Sequence, residues 1–402
     1  MTAVLCLAAL LFFGVLTLWV PERWTWGLVQ TGIFLMAGWS VWGARKFRPT
    51  PAAAACALAT LWPLVQLALG ASVNRGETWV QALNWTSFLT VFLLSAALLR
   101  DEWERSCFLR AIVVAGVALA TLAVVQNYRS AGQIFWLFPS GYTDNVMGPF
   151  VNRNQYAAWV ELLLPVALYL AATARRRTMY GVGAAILLGS VAASASRAGS
   201  AIACLEVLAV GLALARNRAL SLRSLGVGAL QFGLLAALAT AVVGWQDLHQ
   251  RFSHLDSEAL RADGIRASLA MIHDRPWLGS GLGTWPLIYP RYAGLDAGVV
   301  LNQAHNDWLQ WAAEGGLPFL AFLLLFAALI ARPAYRSVYG MGVAAFLLHA
   351  LVDYPMQQRP ALAAWLFAMA GAACAPWTTR LTTDKSAALF ARQSEPRPQG
   401  SA

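Results

Sequence analysis

The chain has 402 residues, 59% of them hydrophobic and only 12% charged, with a net charge of +10 and a mean hydropathy of +0.56. Soluble domains carry about 25% charged residues, so a soluble fold is excluded, and apolar runs of spanning length recur along the sequence. The positive charge is scattered rather than gathered into one patch, which excludes nucleic acid as a partner, and the five cysteines show neither a disulfide framework nor a zinc-ligand spacing.

Hydrocarbon offers backbone groups no water, so each run is a helix or part of a closed barrel. The runs are continuous rather than alternating, which selects helices. The expected fold is an all-α polytopic membrane protein of about twelve transmembrane helices, with a long periplasmic loop containing short helices. The spans fall near 2–20, 24–42, 50–70, 84–99, 107–127, 155–174, 178–195, 198–215, 225–244, 305–331, 337–353 and 360–378. Met1–Val20 lacks a basic leader region and an Ala-x-Ala site, and reads as a first span. An even number of spans puts both termini on one side. Arg45, Lys46 and Arg48, the run Arg175 to Arg177, Arg332 with Arg336, and the basic tail fall there, which makes that side cytoplasmic. N-terminal helices occupy 1–130, a core that includes a periplasmic loop at 245–303 occupies 131–376, and a polar tail expected to be disordered occupies 377–402.

Two connections on the far side, about 129–154 and 245–302, are too long for turns. The second contains an amphipathic stretch from Asp256 to His273, with Asp256 or Ser257 as N-cap. Leu260, Ile265, Leu269 and Ile272 are expected to face the membrane surface or a cavity, and Arg261, Asp263 and Arg266 to meet water or a ligand. The glycines of Leu278 to Thr284 lack the Gly-Lys-Ser/Thr ending of a nucleotide loop. They predict a tight loop whose backbone approaches a ligand.

Ionisable groups at membrane depth cost about 3 kcal/mol each and face a partner or a cavity. Here they are Glu161, Glu206, Glu314 and Asp353, with His349 one turn before Asp353. Glu161 and Glu206 are expected to pair for structure. Arg197 stands among small residues in Ala-Ser-Ala-Ser-Arg-Ala-Gly-Ser, which lets helices approach closely.

The stretch from Asn302 to Gly316 gathers a histidine, two carboxylates, two indoles and a glycine pair before the apolar run Leu317–Ala331. With Asn302 as N-cap, His305 falls in the first helical turn, where the dipole favours a neutral, proton-accepting ring. Interfacial anchoring by His305 and Trp308 fits the same pattern. Glu314 lies half a turn out of phase with His305 and reads as a packing residue beside Gly315 and Gly316. An acid that orients His305 must therefore come from another segment.

Several motifs occur in order. They are Gly-Pro-Phe-Val-Asn-Arg-Asn at 148–154, Ala-Ser-Arg-Ala-Gly at 195–199, and Arg266 followed by Arg-Pro-Trp-Leu-Gly-Ser-Gly-Leu-Gly at 275–283. Then come Ala-His-Asn-Asp-Trp-Leu-Gln at 304–310, Ala-Glu-Gly-Gly-Leu-Pro at 313–318 and His-Ala-Leu-Val-Asp-Tyr at 349–354. This ordered set resembles the O-antigen ligase and O-antigen polymerase superfamily of bacterial envelope glycosyltransferases, over most of 140–375. Phe319 departs from it, since many members carry glycine after the proline.

The resemblance implies a multi-pass protein of the bacterial inner membrane with its active site on the periplasmic side. It implies inverting, metal-independent transfer, without a cofactor, of a glycan from undecaprenyl pyrophosphate to an acceptor hydroxyl on lipid A-core, a growing glycan or a protein. His305 matches the family's essential histidine, the proposed general base, and Arg197 and Arg266 match its pyrophosphate-binding positions. Arg153 and Arg291 are candidates by location, and Asn306, Glu314 and Asp353 are expected to support the site. Repeat-unit polymerases and protein O-oligosaccharyltransferases share the motifs. A transporter or flippase suits the helix count as well, but no internal repeat is evident.

Overall fold

The computed structural model describes residues 1–43, 50–141, 146–216, 256–295, 301–357 and 359–375. Eight helices come first: α1 (Thr2–Leu16), α2 (Trp24–Trp42), α3 (Pro51–Ala68), α4 (Arg75–Leu98), α5 (Glu102–Arg129), α6 (Arg153–Thr173), α7 (Arg177–Ala193) and α8 (Arg197–Arg216). After residues 217–255 follow α9 (Asp256–Asp274), the short α10 (Trp285–Ile288) and a 3₁₀ turn (Tyr289–Arg291). The long α11 (Asp307–Tyr335), α12 (Val338–His349) and α13 (Pro360–Cys374) complete the bundle. The predicted span at 225–244, the residues Arg45, Lys46 and Arg48, and the tail 377–402 lie outside the described residues.

Helices α3, α4, α5, α6, α8 and α11 are long and apolar enough to cross a membrane, and α1, α7, α12 and α13 are shorter apolar helices. Together they make a multi-pass helical membrane protein. The connection before α6 holds a short antiparallel pair, β1 (Gln133–Ile134) and β2 (Phe138–Pro139), within an otherwise helical fold.

Helix starts follow capping chemistry more closely than hydropathy. Asn74 accepts from the backbone N–H of Gly76 and Glu77 at 3.0 and 3.2 Å, so α4 begins well before its apolar run. Asp101 does the same for α5 through the N–H of Glu104, at 2.9 Å. Polar first turns hide both starts from a hydropathy reading.

The core sits where α6, α12 and α13 meet α4 and α11. Trp85 is buried and meets Phe319 edge-on, with centroids 5.2 Å apart and planes at 90°. Phe319, the departure noted above, therefore fills the core rather than opening it.

Helix α11 is bent. Gly316 has φ 75° and ψ 175°, which only glycine adopts readily, and the next turn contains Pro318. A bend frees carbonyl groups, and here each finds a donor. Trp62 Nε1 donates to Gly315 O at 2.7 Å, Gln66 Nε2 to Glu314 O at 2.8 Å, and Gly281 N to Glu314 O at 2.9 Å. Leu317 N donates to Pro276 O at 2.7 Å. The glycine-rich loop thus lies against the backbone of α11. A Cβ on Gly279 would lie 2.3 Å from Glu314 O, and one on Gly281 would lie 2.6 Å from Ser72 Oγ.

Candidate active site

His305 stands just outside α11 and not in its first turn. The N-cap is Asn306, whose Oδ1 accepts from Leu309 N at 3.0 Å, while Asn302 is exposed. His305 itself has φ 53°, in the left-handed region. Both neighbours hold it there. Asn306 Nδ2 donates to Leu351 O at 2.8 Å, and Ala304 N donates to Gln310 Oε1 at 2.9 Å. A strained backbone pinned on both sides fixes the direction of the imidazole.

That direction is toward Asp353. His305 Nδ1 lies 3.5 Å from Asp353 Oδ1, an ion-pair separation with no formed hydrogen bond, and Asp353 is buried. The acid comes from another segment, the turn after α12, as the helix geometry required. Tyr354 packs its ring edge-on against His305, centroids 4.7 Å apart. Burial works to raise the Asp353 pKa, but the facing His305 outweighs it and holds the carboxyl below the usual range.

Asp353 also collects the two arginine-bearing segments. Asn154 Nδ2 donates to Asp353 Oδ2, and Ser196 Oγ donates to Asn154 Oδ1 at 2.8 Å. Asn152 caps α6 through Asn154 N at 2.8 Å and donates to the Tyr354 hydroxyl at 3.2 Å. Arg153 opens α6 between these two asparagines, and Arg197 opens α8 next to Ser196 with an exposed side chain. Asn154, Ser196 and Tyr354 were not singled out in the sequence. They lie inside or beside the ordered motifs, which was the available signal.

Helix α9 passes beside the chain that leads to His305. A Cβ on Gly264 would lie 3.0 Å from Leu301 and 3.4 Å from Ala304 O. The buried face is Asp263, Gly264, Ala267, Ser268 and Met271, while Ile265 and Leu269 are exposed. Asp263 alone departs from the expected orientation, turning inward because small residues allow close approach and its carboxylate has partners in the fold. Its carboxylate accepts from Arg266 Nη2 at 2.6 Å, the Tyr289 hydroxyl at 2.7 Å and Gly294 N at 3.1 Å. Burial opposes its ionisation, yet these bonds hold the Asp263 pKa below the usual carboxylate value. Arg266 also donates to Tyr292 O at 3.2 Å, while Arg291 is exposed on the 3₁₀ turn. Arg261 is half-buried on the same helix.

Two buried acids take supporting positions. Glu314 accepts from Gly283 N and Trp285 N, both at 2.9 Å, and makes no contact with His305. Glu161 pairs with His349, Oε1 to Nδ1 at 2.7 Å, and not with Glu206 as expected. Among the described residues the buried Glu206 carboxylate has no hydrogen-bond partner.

Fold and site together define a multi-pass helical membrane protein with a histidine–carboxylate centre where arginine-bearing helix starts converge. Residues 182–326, from α7 to beyond the bend of α11, match the Wzy_C family model, described as O-antigen ligase, which supports a place in the O-antigen ligase superfamily. The match supports a glycosyltransferase of O-antigen ligase or polymerase type, acting on glycan or lipid-linked substrates. It takes in Arg197, Arg266, Arg291, His305, Asn306 and Glu314, whereas Arg153 and Asp353 fall outside it. No curated protein matches the chain.

Proposed function

We propose that the protein is an inverting glycosyltransferase that moves a glycan from undecaprenyl pyrophosphate to an acceptor hydroxyl at the periplasmic face of the bacterial inner membrane. The observation that carries this reading is the His305–Asp353 pair, joined through Asn154 and Ser196 to the helix starts that bear Arg153 and Arg197. With Nδ1 turned to the carboxylate, Nε2 is the imidazole nitrogen left to take a proton. The acceptor oxygen attacks C1 of the donor sugar and its proton passes to His305 Nε2. The C1–O bond to the diphosphate breaks, and the carrier pyrophosphate leaves as an anion.

Arg197 and Arg266, with Arg153 and Arg291, would hold that anion, since a guanidinium offers a permanent charge and a planar fork. Arg266 can turn one face to a diphosphate while Asp263 fixes the other. Asn306 and Glu314 support the site at a distance, one by pinning the His305 backbone and the other by holding the loop of Gly283.

The test is transfer by the purified protein from a lipid-linked donor, without ATP or an ion gradient. His305→Asn, which tolerates a left-handed backbone, should retain the fold and lose activity by about 10²–10⁴-fold. Retained activity would remove the base from this account. A deletion strain then separates the acceptors. Full-length polymer left on the carrier indicates ligation to lipid A-core, single repeats indicate polymerisation, and loss of glycosylated protein indicates a protein acceptor.

A further inference from the structure

A cavity of about 360 Å³ lies between the α1–α2 turn, the early turns of α4 and the start of α13. Its size falls in the range of small-ligand pockets, about 300–1,000 Å³. Polar groups in its wall are Arg23, Gln81, Asn84, Gln357 and Arg359, with the exposed Glu22. Several are already engaged. Arg23 pairs with Glu77 at 2.6 Å, and Asn84 Oδ1 accepts from Trp26 Nε1 at 2.9 Å.

Two donors are not. Gln357 Nε2 is buried with no acceptor among the described residues, and the half-buried side chain of Arg359 makes no hydrogen bond or ion pair with a described residue. The Arg359 guanidinium is a permanent cation in a wall that Gln357 also lines, and the complementary group is an anion rich in oxygen acceptors.

The cavity is joined to the candidate active site along the chain. Gln357 and Arg359 continue the segment that supplies Asp353 and Tyr354, whose ring packs on His305. The arginines assigned to the diphosphate sit elsewhere. Arg197 opens α8, which packs on α6, α7 and α12, whereas α1, α2, α4 and α13 bound the cavity.

We propose that this cavity is an acceptor subsite, in which Arg359 and Gln357 hold a carboxylate- or phosphate-bearing sugar and so present the acceptor hydroxyl to His305. The assignment rests on the glycosyl-transfer reading and names the part of the substrate that the α13 side of the site recognises.

The experiment uses the full-length protein in lipid nanodiscs, with acceptors that carry or lack an acidic sugar. Arg359→Gln should raise the KM for the acidic acceptor roughly tenfold or more, the loss of one charge-assisted hydrogen bond. The KM for donor and for neutral acceptor should not move, and Arg359→Lys should recover part of the effect. Binding is read separately by saturation-transfer NMR with D-glucuronate and glucose 1-phosphate as probes and glucose as the neutral control. Both anions should bind more tightly than glucose, and Arg359→Gln should abolish the difference. A rise in donor KM alone gives the anionic group to the donor glycan and overturns the acceptor assignment. Unchanged KM values with unchanged anion binding overturn the site itself. Failure of the transfer reading looks different: the wild-type protein transfers nothing, yet anion binding still depends on Arg359.

Discussion

Tyr354 meets His305 edge to face, with ring planes at 85° and centroids 4.7 Å apart, so the imidazole is held by an aromatic wall on one side and Asp353 on the other. Removing the wall frees the ring to rotate. Tyr354→Ala should lower kcat with donor KM unchanged, and Tyr354→Phe should keep most of the activity, because the ring does the holding. Steady-state kinetics on the two variants checks this.

Asp353→Asn keeps the shape and removes the charge that faces Nδ1. A fall in kcat of roughly 10–100-fold is expected, as for carboxylates that orient metal-ligating histidines. The folded-state pKa of Asp353 is depressed. Its contribution to stability is therefore complete above the unfolded value of about 3.9 and is lost only as pH falls through the lower folded value. A kcat limb between pH 5 and 8 in the wild-type protein cannot come from this group. Asp353→Asn should move the midpoint of such a limb, and an unmoved midpoint would overturn the assignment of roles here.

The Asp263 cluster gives an acid-sensitive fastening. Its pKa is depressed too, so the bonds to Arg266, Tyr289 and Gly294 persist through neutral and mildly acid pH and fail below about pH 4. Asp263→Asn should loosen the 289–294 segment already at pH 7. Limited proteolysis should then cut there faster than in the wild-type protein, with cleavage elsewhere unchanged.

The bend in α11 should be intolerant of change. Gly316→Ala places a Cβ 2.4 Å from Trp277 O and forces a side chain into a glycine-only backbone region, which alone costs about 1–3 kcal/mol. Gln66→Leu strips the partners of Leu278 O and Leu282 N together, each worth about 1–3 kcal/mol when left buried and unpaired, and leaves Glu314 O to Gly281 N alone. Both variants should lose folded yield and melt several degrees lower in detergent, read by the fluorescence of tryptophan.

Much of this was legible in the residues. Continuous apolar runs located most of the helices, and the Gly315–Gly316 pair with Pro318 marked a special point in α11. What stayed hidden depended on contacts between distant segments. Asn302 was the expected cap, and the structure uses Asn306, which the turn after α12 also holds through Leu351 O. The hydrophobic pattern of α9 pointed outward because Asp263 finds three partners inward, which no periodicity records. The turn after α12 carried Asp353 in plain view, but its pairing with His305 and Asn154 is a product of packing.

The carbonyls released where α11 bends are taken up by Trp62, Gln66 and the strap running from Pro276 to Gly283. Lifting that strap would take the Gly281 donor from Glu314 O and the Pro276 acceptor from Leu317 N at once, so the bend and the strap hold or fail together.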